Sequence, residues 1–266
     1  MGDCSEKMNS SNDLMRVTVL GSGTSAGVPT LGCRCAVCRS TNPRNKRMRS
    51  CAYIEYCNSR FLIDCGTDFR TQALAYGVED VDFVLITHTH TDHVGGLDDL
   101  RAFNMVHGHA IDLYATPESL AEIRRRFSYC FQPPPPGGGI PEFNVHEIQG
   151  DFEVRGIPVR PVRVFHGKMP IIGFRLERFA WLTDVSSIPE SSFELLRGVK
   201  ILVTSALRHR PHPTHMSLRE AVAVAQRVGA EQTYFIHMCH DLEHEATNAL
   251  LPPNIQLAYD GLTFTV

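Results

Sequence analysis

His88-Thr89-His90-Thr91-Asp92-His93 sets four metal-ligand side chains within six residues, directly behind the apolar run Phe83-Val84-Leu85-Ile86. The run reads as a buried strand over 83–87, and Gly95-Gly96 follow the cluster before a helix over 97–103. On extended backbone His88 and His90 point to the same side, because side chains alternate with period two. The turn after His90 lets Asp92 and His93 swing towards a second point nearby. Imidazoles with a carboxylate suit zinc, iron, manganese or nickel rather than calcium. A polar loop with satisfied histidines explains one such residue better than it explains this cluster. The stretch is half of a two-metal site.

Working outward, other apolar strands end in the same way. Strand 60–63 runs into Asp64, 162–165 into His166, 179–182 into Asp184 and 233–236 into His237. A site built from many loops at one sheet edge is how a rigid scaffold positions chemistry. Asp64 can cap the helix over 68–76 or orient a metal-bound histidine from behind.

A second cluster is Cys33-Arg34-Cys35-Ala36-Val37-Cys38. Its C-x-C-x-x-C spacing can put three thiolates on one tetrahedral ion, with a vacancy for a distant ligand; the alternative is three buried thiols. Before it, the strand over 16–20 enters Gly21-Ser22-Gly23-Thr24-Ser25-Ala26-Gly27, whose spacing is wrong for a dinucleotide loop and fits a turn feeding a metal loop. After it, Arg44, Lys46, Arg47 and Arg49 form a basic run, read as a solvated loop with phosphate attraction as the minority reading.

With 266 residues, 43% hydrophobic and 21% charged, the chain suits one large α/β domain. We expect a tail over 1–15 and a single domain over 16–266. A net charge of −3 gives no global field for nucleic acid or an anionic membrane. No apolar stretch approaches the ~20 residues of a membrane span. Nine cysteines, three of them clustered, fit metal binding in a reducing, cytoplasmic compartment better than a disulfide frame. Further on, 117–127 reads as a helix with Arg124-Arg125-Arg126 solvated at its end, and 132–139, rich in Pro and Gly, as a mobile loop over the site. Arg208 to His215 is rich in anion-binding side chains and too proline-rich for a helix. Ser217, with Glu220 in a capping-box position, opens a helix through Val228.

The H-x-H-x-D-H stretch with separate downstream His, Asp and His resembles the metallo-β-lactamase-fold hydrolases over essentially the whole chain from Arg16. The resemblance implies an α/β (α+β) four-layer αββα sandwich with two divalent metals, zinc or manganese, between the sheets. By family role His88, His90 and His166 would bind one metal, Asp92, His93 and His237 the other. Asp184 would bridge both, with Asp64 behind the ligands. Among these hydrolases the PhnP-type cyclic phosphodiesterases of the carbon–phosphorus lyase pathway carry a similar cysteine knuckle. In them a His three residues beyond the last catalytic His completes a structural zinc, which implies that His240 joins Cys33, Cys35 and Cys38. Their phosphate-contacting His corresponds to His215.

The implied activity is hydrolysis of small cyclic or nucleotide-like phosphodiesters by a metal-bridging hydroxide. Asp92 and His215 are the expected catalytic residues, and His215, Arg208 and Arg210 the substrate contacts. The expected partner is a small anionic phosphodiester; no membrane and no nucleic acid are expected, and a homodimer stays open. The rival readings are a nuclease similar to the 3′-tRNA-processing endonucleases, a lactonase or thioesterase, and a zinc-stabilised nucleotide-binding protein without turnover. His240-Asp241-Leu242-Glu243-His244 also matches the inverted zinc-protease motif, but shares His240 with the knuckle.

Overall fold

The structure is a computed structural model that describes residues 14–133 and 139–266. Residues 1–13 of the expected tail and 134–138 of the expected loop lie outside the described residues. Met15 does not belong to a tail: it is buried, and its carbonyl accepts the Val266 N–H.

Among the described residues two seven-stranded sheets form. The first takes β1 (Arg16–Gly21), β2 (Cys51–Tyr56), β3 (Ser59–Ile63), β4 (Phe83–Leu85), β5 (Ile111–Ala115) and β6 (Phe143–Glu147). The second takes β7 (Phe152–Val154), β8 (Ile157–His166), β9 (Met169–Leu176), β10 (Phe179–Leu182), β11 (Ile201–Ser205), β12 (Gln232–Ile236) and β13 (Ile255–Leu257). Only β14 (Thr263–Thr265) returns, to pair with β1 at the edge of the first sheet. In each sheet antiparallel hairpins give way to parallel strands, from β3 to β6 and from β10 to β13.

Period-two alternation sorts the apolar residues into layers. Phe61, Ile63, Phe83 and Leu85 of the first sheet meet Phe179 and Trp181 of the second in one core. Their neighbours Leu62 and Val84 face away, under Phe69, Leu97, Leu120 and Ile123. On the far side Ala180 and Leu182 pack under Leu196, Ala221 and Ala225. The result is the expected αββα sandwich. Each fully buried large side chain contributes roughly 1.5–3 kcal/mol, and the Phe61–Phe83 stack at 4.3 Å sits in the middle layer.

Helix ends follow their local chemistry. Ser217 and Glu220 form the capping box of the helix Leu218–Val228, and Gly229 closes it at φ 69°. The segment expected as a helix over 97–103 is instead a 3₁₀ turn at Leu97–Leu100 followed by a helix at Arg101–His107. The expected strand over 83–87 pairs only through Leu85, because the chain then leaves the sheet towards the histidine cluster.

Candidate metal centre

Parallel strands of both sheets release their chains at one rim, and three of those exits adopt a left-handed backbone. Asp64 after β3, Asp184 after β10 and His237 after β12 have φ of 63°, 56° and 56°. Asp and His tolerate this region better than most residues, and such geometry concentrates at functional sites. Close backbone approach completes the rim. A Cβ on Gly66 would lie 2.0 Å from the Asp92 carbonyl oxygen, so glycine lets the 64–66 turn press against the 91–94 helix.

Asp184 is the common member of three donor groups whose ligand atoms lie within 4.8 Å of one another. The first is Asp92, His93, Asp184 and His237; the second is His88, His90 and Asp184; the third is His166, Asp184 and His215. His93 Nε2 is 3.2 Å from both Asp92 Oδ2 and Asp184 Oδ1, and His237 Nδ1 is 3.0 Å from Asp184 Oδ1. His166 shares a donor group with Asp184 and His215 and not with its expected partners His88 and His90, although its ring stands 5.0 Å from His90 and 5.8 Å from His88.

The surrounding acceptors decide which nitrogens face the donor cluster. Asp64 Oδ2 takes a bond from His93 Nδ1 at 2.7 Å, which assigns the proton to Nδ1 and leaves Nε2 with its lone pair. Asp64 also accepts the N–H and the hydroxyl of Thr87, both at 2.8 Å. The Thr87 oxygen then lies 3.0 Å from His88 Nδ1 and can only accept, so His88 too presents a bare Nε2. The Thr214 carbonyl does the same for His166, accepting Nδ1–H at 2.7 Å. Asp64 therefore orients two ligands, one directly and one through Thr87.

The cluster fits a cationic occupant. Asp64, Asp92 and Asp184 are buried, and buried carboxylates require compensation. His88 Nε2, His93 Nε2 and Asp92 Oδ2 are buried with no hydrogen-bond partner among the described residues. Burial and then His93 hold His88 well below the usual imidazole range. Burial opposes a proton on His93, yet the Asp184 and Asp64 carboxylates outweigh it and raise its pKa well above the ordinary value. Burial also opposes charge on Asp184, and His237 and His93 hold it well below the usual range. Divalent cations held by these residues would supply the positive charge that protons on the imidazoles must otherwise provide.

Cys33, Cys35, Cys38 and His240 form a further donor group, within 4.8 Å of one another. The Cys38 sulfur lies 3.3 Å from His240 Nδ1, and the Cys38 N–H donates to the Cys35 sulfur at 3.4 Å. That N–H lowers the Cys35 pKa, whereas burial pushes Cys38 up to about 11. Three gathered thiols and one imidazole fit a tetrahedral zinc. The inverted protease motif does not assemble: Glu243 accepts from Asn45 and Ala246, and His244 turns to Asn248.

The two expected arginine contacts are placed differently. Arg208 donates to the carbonyls of Arg210 and Pro211, and Arg210 lies 3.7 Å from Asp241, so both are turned onto their own surroundings. Instead His212 stands 5.2 Å from the His215 ring, with its Nδ1 accepting from Thr214. Burial, helped by His237, lowers His215 to about 3. Arg126, expected in a solvated helix end, donates to the Thr89 carbonyl at 2.7 Å and holds the histidine stretch. Thr24 places its hydroxyl 3.1 Å from His237 Nε2, so the turn expected to feed the cysteine loop also reaches the histidine cluster. His212, Thr87 and Thr24 carried no sequence signal beyond proximity to a motif, because their partners come from distant strands.

A family model for the beta-lactamase superfamily domain matches residues 59–238. The crystal structure of a new diphosphatase from the PhnP family superimposes with a TM-score of 0.89 at 43% identity, covering 95% of this chain and 97% of that one. An octanoyltransferase of Porphyromonas gingivalis is 40% identical over 253 residues, 93% of this chain and 51% of that protein. This chain therefore spans about half the length of that curated relative. The ribonuclease Z of Methanopyrus kandleri is 26% identical over 266 residues, 84% of this chain and 94% of that protein.

Proposed function

We propose a hydrolytic function for this chain, which belongs to the beta-lactamase superfamily. Its donor set and its likeness to the PhnP-family diphosphatase are those of a metal-dependent hydrolase. The substrate we infer is a small anionic molecule with a phosphodiester or diphosphate bond, cyclic or nucleotide-like. The cofactors are two divalent ions, zinc or manganese, with a zinc at the knuckle. The observation that carries this reading is Asp184, shared by every donor group between the sheets.

Such ions, when bound, lower the pKa of water and offset charge on phosphate. The chain's own part is orientation. Asp64 and Thr87 keep His93 and His88 turned with Nε2 inward, and the Thr214 carbonyl does so for His166. His215 is neutral near pH 7 and can donate an N–H to a phosphate oxygen, with His212 beside it. Asp92 keeps an unpartnered Oδ2 available to accept a proton or hold a water. Free thiols gathered at Cys33, Cys35 and Cys38 favour a reducing, cytoplasmic setting, and no described helix is long and apolar enough to cross a membrane.

The test is metal analysis followed by turnover of cyclic phosphodiesters, linear phosphodiesters and diphosphates. Three ions per chain and cleavage of at least one small substrate are expected. Cleavage of precursor tRNA alone would favour the nuclease reading, and binding without turnover the non-catalytic one.

A further inference from the structure

A cleft of about 850 Å³ opens beside the 26–29 loop and is lined by no member of the four donor groups. Its cationic wall is the basic run after the cysteine knuckle: Arg44, Lys46 and Arg49, with Arg47 buried beneath them. Tyr76 and Tyr259 supply an aromatic wall, and the Arg44 guanidinium lies 4.7 Å from the Tyr259 ring centre.

The charges in the lining do not cancel. The carboxylates there are Asp68 and Asp260, against Arg44, Lys46 and Arg49; Arg47 turns its guanidinium to the carbonyls of Cys239 and Leu242. Asp68 accepts the Arg49 N–H and its guanidinium, and Asp260 accepts the N–H groups of Ser22 and Met48. Lys46 commits one bond to the Cys38 carbonyl and keeps two protons. Arg44 meets Glu245 only at 3.4 Å in an exposed pair, which is worth little. The chain as a whole is acidic, so a local excess of cations beside two aromatic rings is a recognition surface rather than a general property.

We propose that this cleft is a second binding site, for a nucleoside phosphate: the base stacks on the tyrosine wall and the phosphates span Arg44 and Lys46. The site is separate from the hydrolytic centre and stands whether or not the hydrolytic reading holds. It also touches both metal sites from outside. Lys46 holds the knuckle at Cys38, and Arg49 donates to the Ser25 carbonyl next to Thr24, which contacts His237.

The experiment is calorimetric titration of the metal-loaded full chain with inorganic phosphate and with α,β-methylene-ADP, which resists diphosphate hydrolysis. The same titrations are run on Asp184→Ala, on Arg44→Ala/Lys46→Ala and on Tyr259→Leu. One saturable nucleotide site is expected to persist in Asp184→Ala, and the wild type should show that site together with any binding at the metal centre. The double variant should bind about tenfold more weakly or worse, and Tyr259→Leu should bring the nucleotide close to inorganic phosphate in affinity. Should the double variant unfold, Arg44→Glu alone carries the same expectation from an exposed position. Loss of nucleotide binding in Asp184→Ala would assign the ligand to the metal centre and overturn the proposal. Absence of saturable binding, or unchanged affinity in the cationic variants, would do the same. A short oligoribonucleotide that displaces the nucleotide keeps the site and makes an RNA end its source; one that does not leaves the free nucleotide as occupant.

Discussion

Asp92, His93, Asp184 and His237 are all buried, whereas Cys33, Cys35, Cys38 and His240 run from exposed to buried. The first set sits on residues that leave strands of both sheets; Asp64 turns His93, and the Thr24 hydroxyl lies 3.1 Å from His237 Nε2. The second sits on a short loop and is organised by its own backbone, with N–H groups of Thr30 and Cys38 aimed at sulfur. One arrangement directs its imidazoles from behind; the other ties a surface loop to the segment after β12. Positioned chemistry needs the former, and stapling needs only the latter.

Four changes sharpen or break that contrast. Asp184→Ala removes the group common to all three donor sets between the sheets, and turnover should fall by at least about 10³-fold, the upper end for one electrostatic group. Its thermal unfolding should stay near wild type, and retained activity would break the assignment. His215→Ala comes next. Because His215 is lowered to about 3, the unfolded chain binds the extra proton between the ordinary imidazole range and pH 3, so this residue makes the fold lose stability as pH falls through that window. At pH 7 it is neutral, and its loss should cost about 10²-fold with both good and poor leaving groups. A penalty confined to poor leaving groups would instead make it a proton donor.

Thr87→Val cuts the link between Asp64 and His88 while leaving the Asp64–His93 bond. About a tenfold loss in metal affinity or activity is expected, the lower end for groups that orient ligands. Measured affinity equal to wild type would mean that packing alone sets the His88 ring. Cys35→Ser should have the smallest effect on turnover. One zinc per chain should be lost and the melting temperature should fall by about 2–4 °C for each kcal/mol of lost stability. Unchanged zinc content in this variant would separate Cys35 from the knuckle.

Much of the site was legible because the ligand residues stand at strand ends, where an apolar run stops and a His or Asp follows. His88, Asp184 and His237 could be marked that way without knowing which strands adjoin. Arg208 and Arg210 show the limit of that reading. Charge in a proline-rich segment is visible in sequence, but the direction of a long side chain is set by carbonyls within the folded loop. His212 and Arg126 are the reverse case, ordinary in sequence and brought beside the site by segments that meet only in the fold.

The sequence by itself determined the donor chemistry and the layer to which each strand residue belongs, because ligand type and alternation are local properties. The tertiary structure alone decided the grouping. Asp184 reaches three donor sets, and Asp64 reaches His88 through Thr87, because separate strands converge at one rim. The basic run after the knuckle became a cleft only when Tyr76 and Tyr259, 183 positions apart, were folded opposite it. Direction and proximity between distant residues are consequences of packing two sheets together, and no local pattern encodes them.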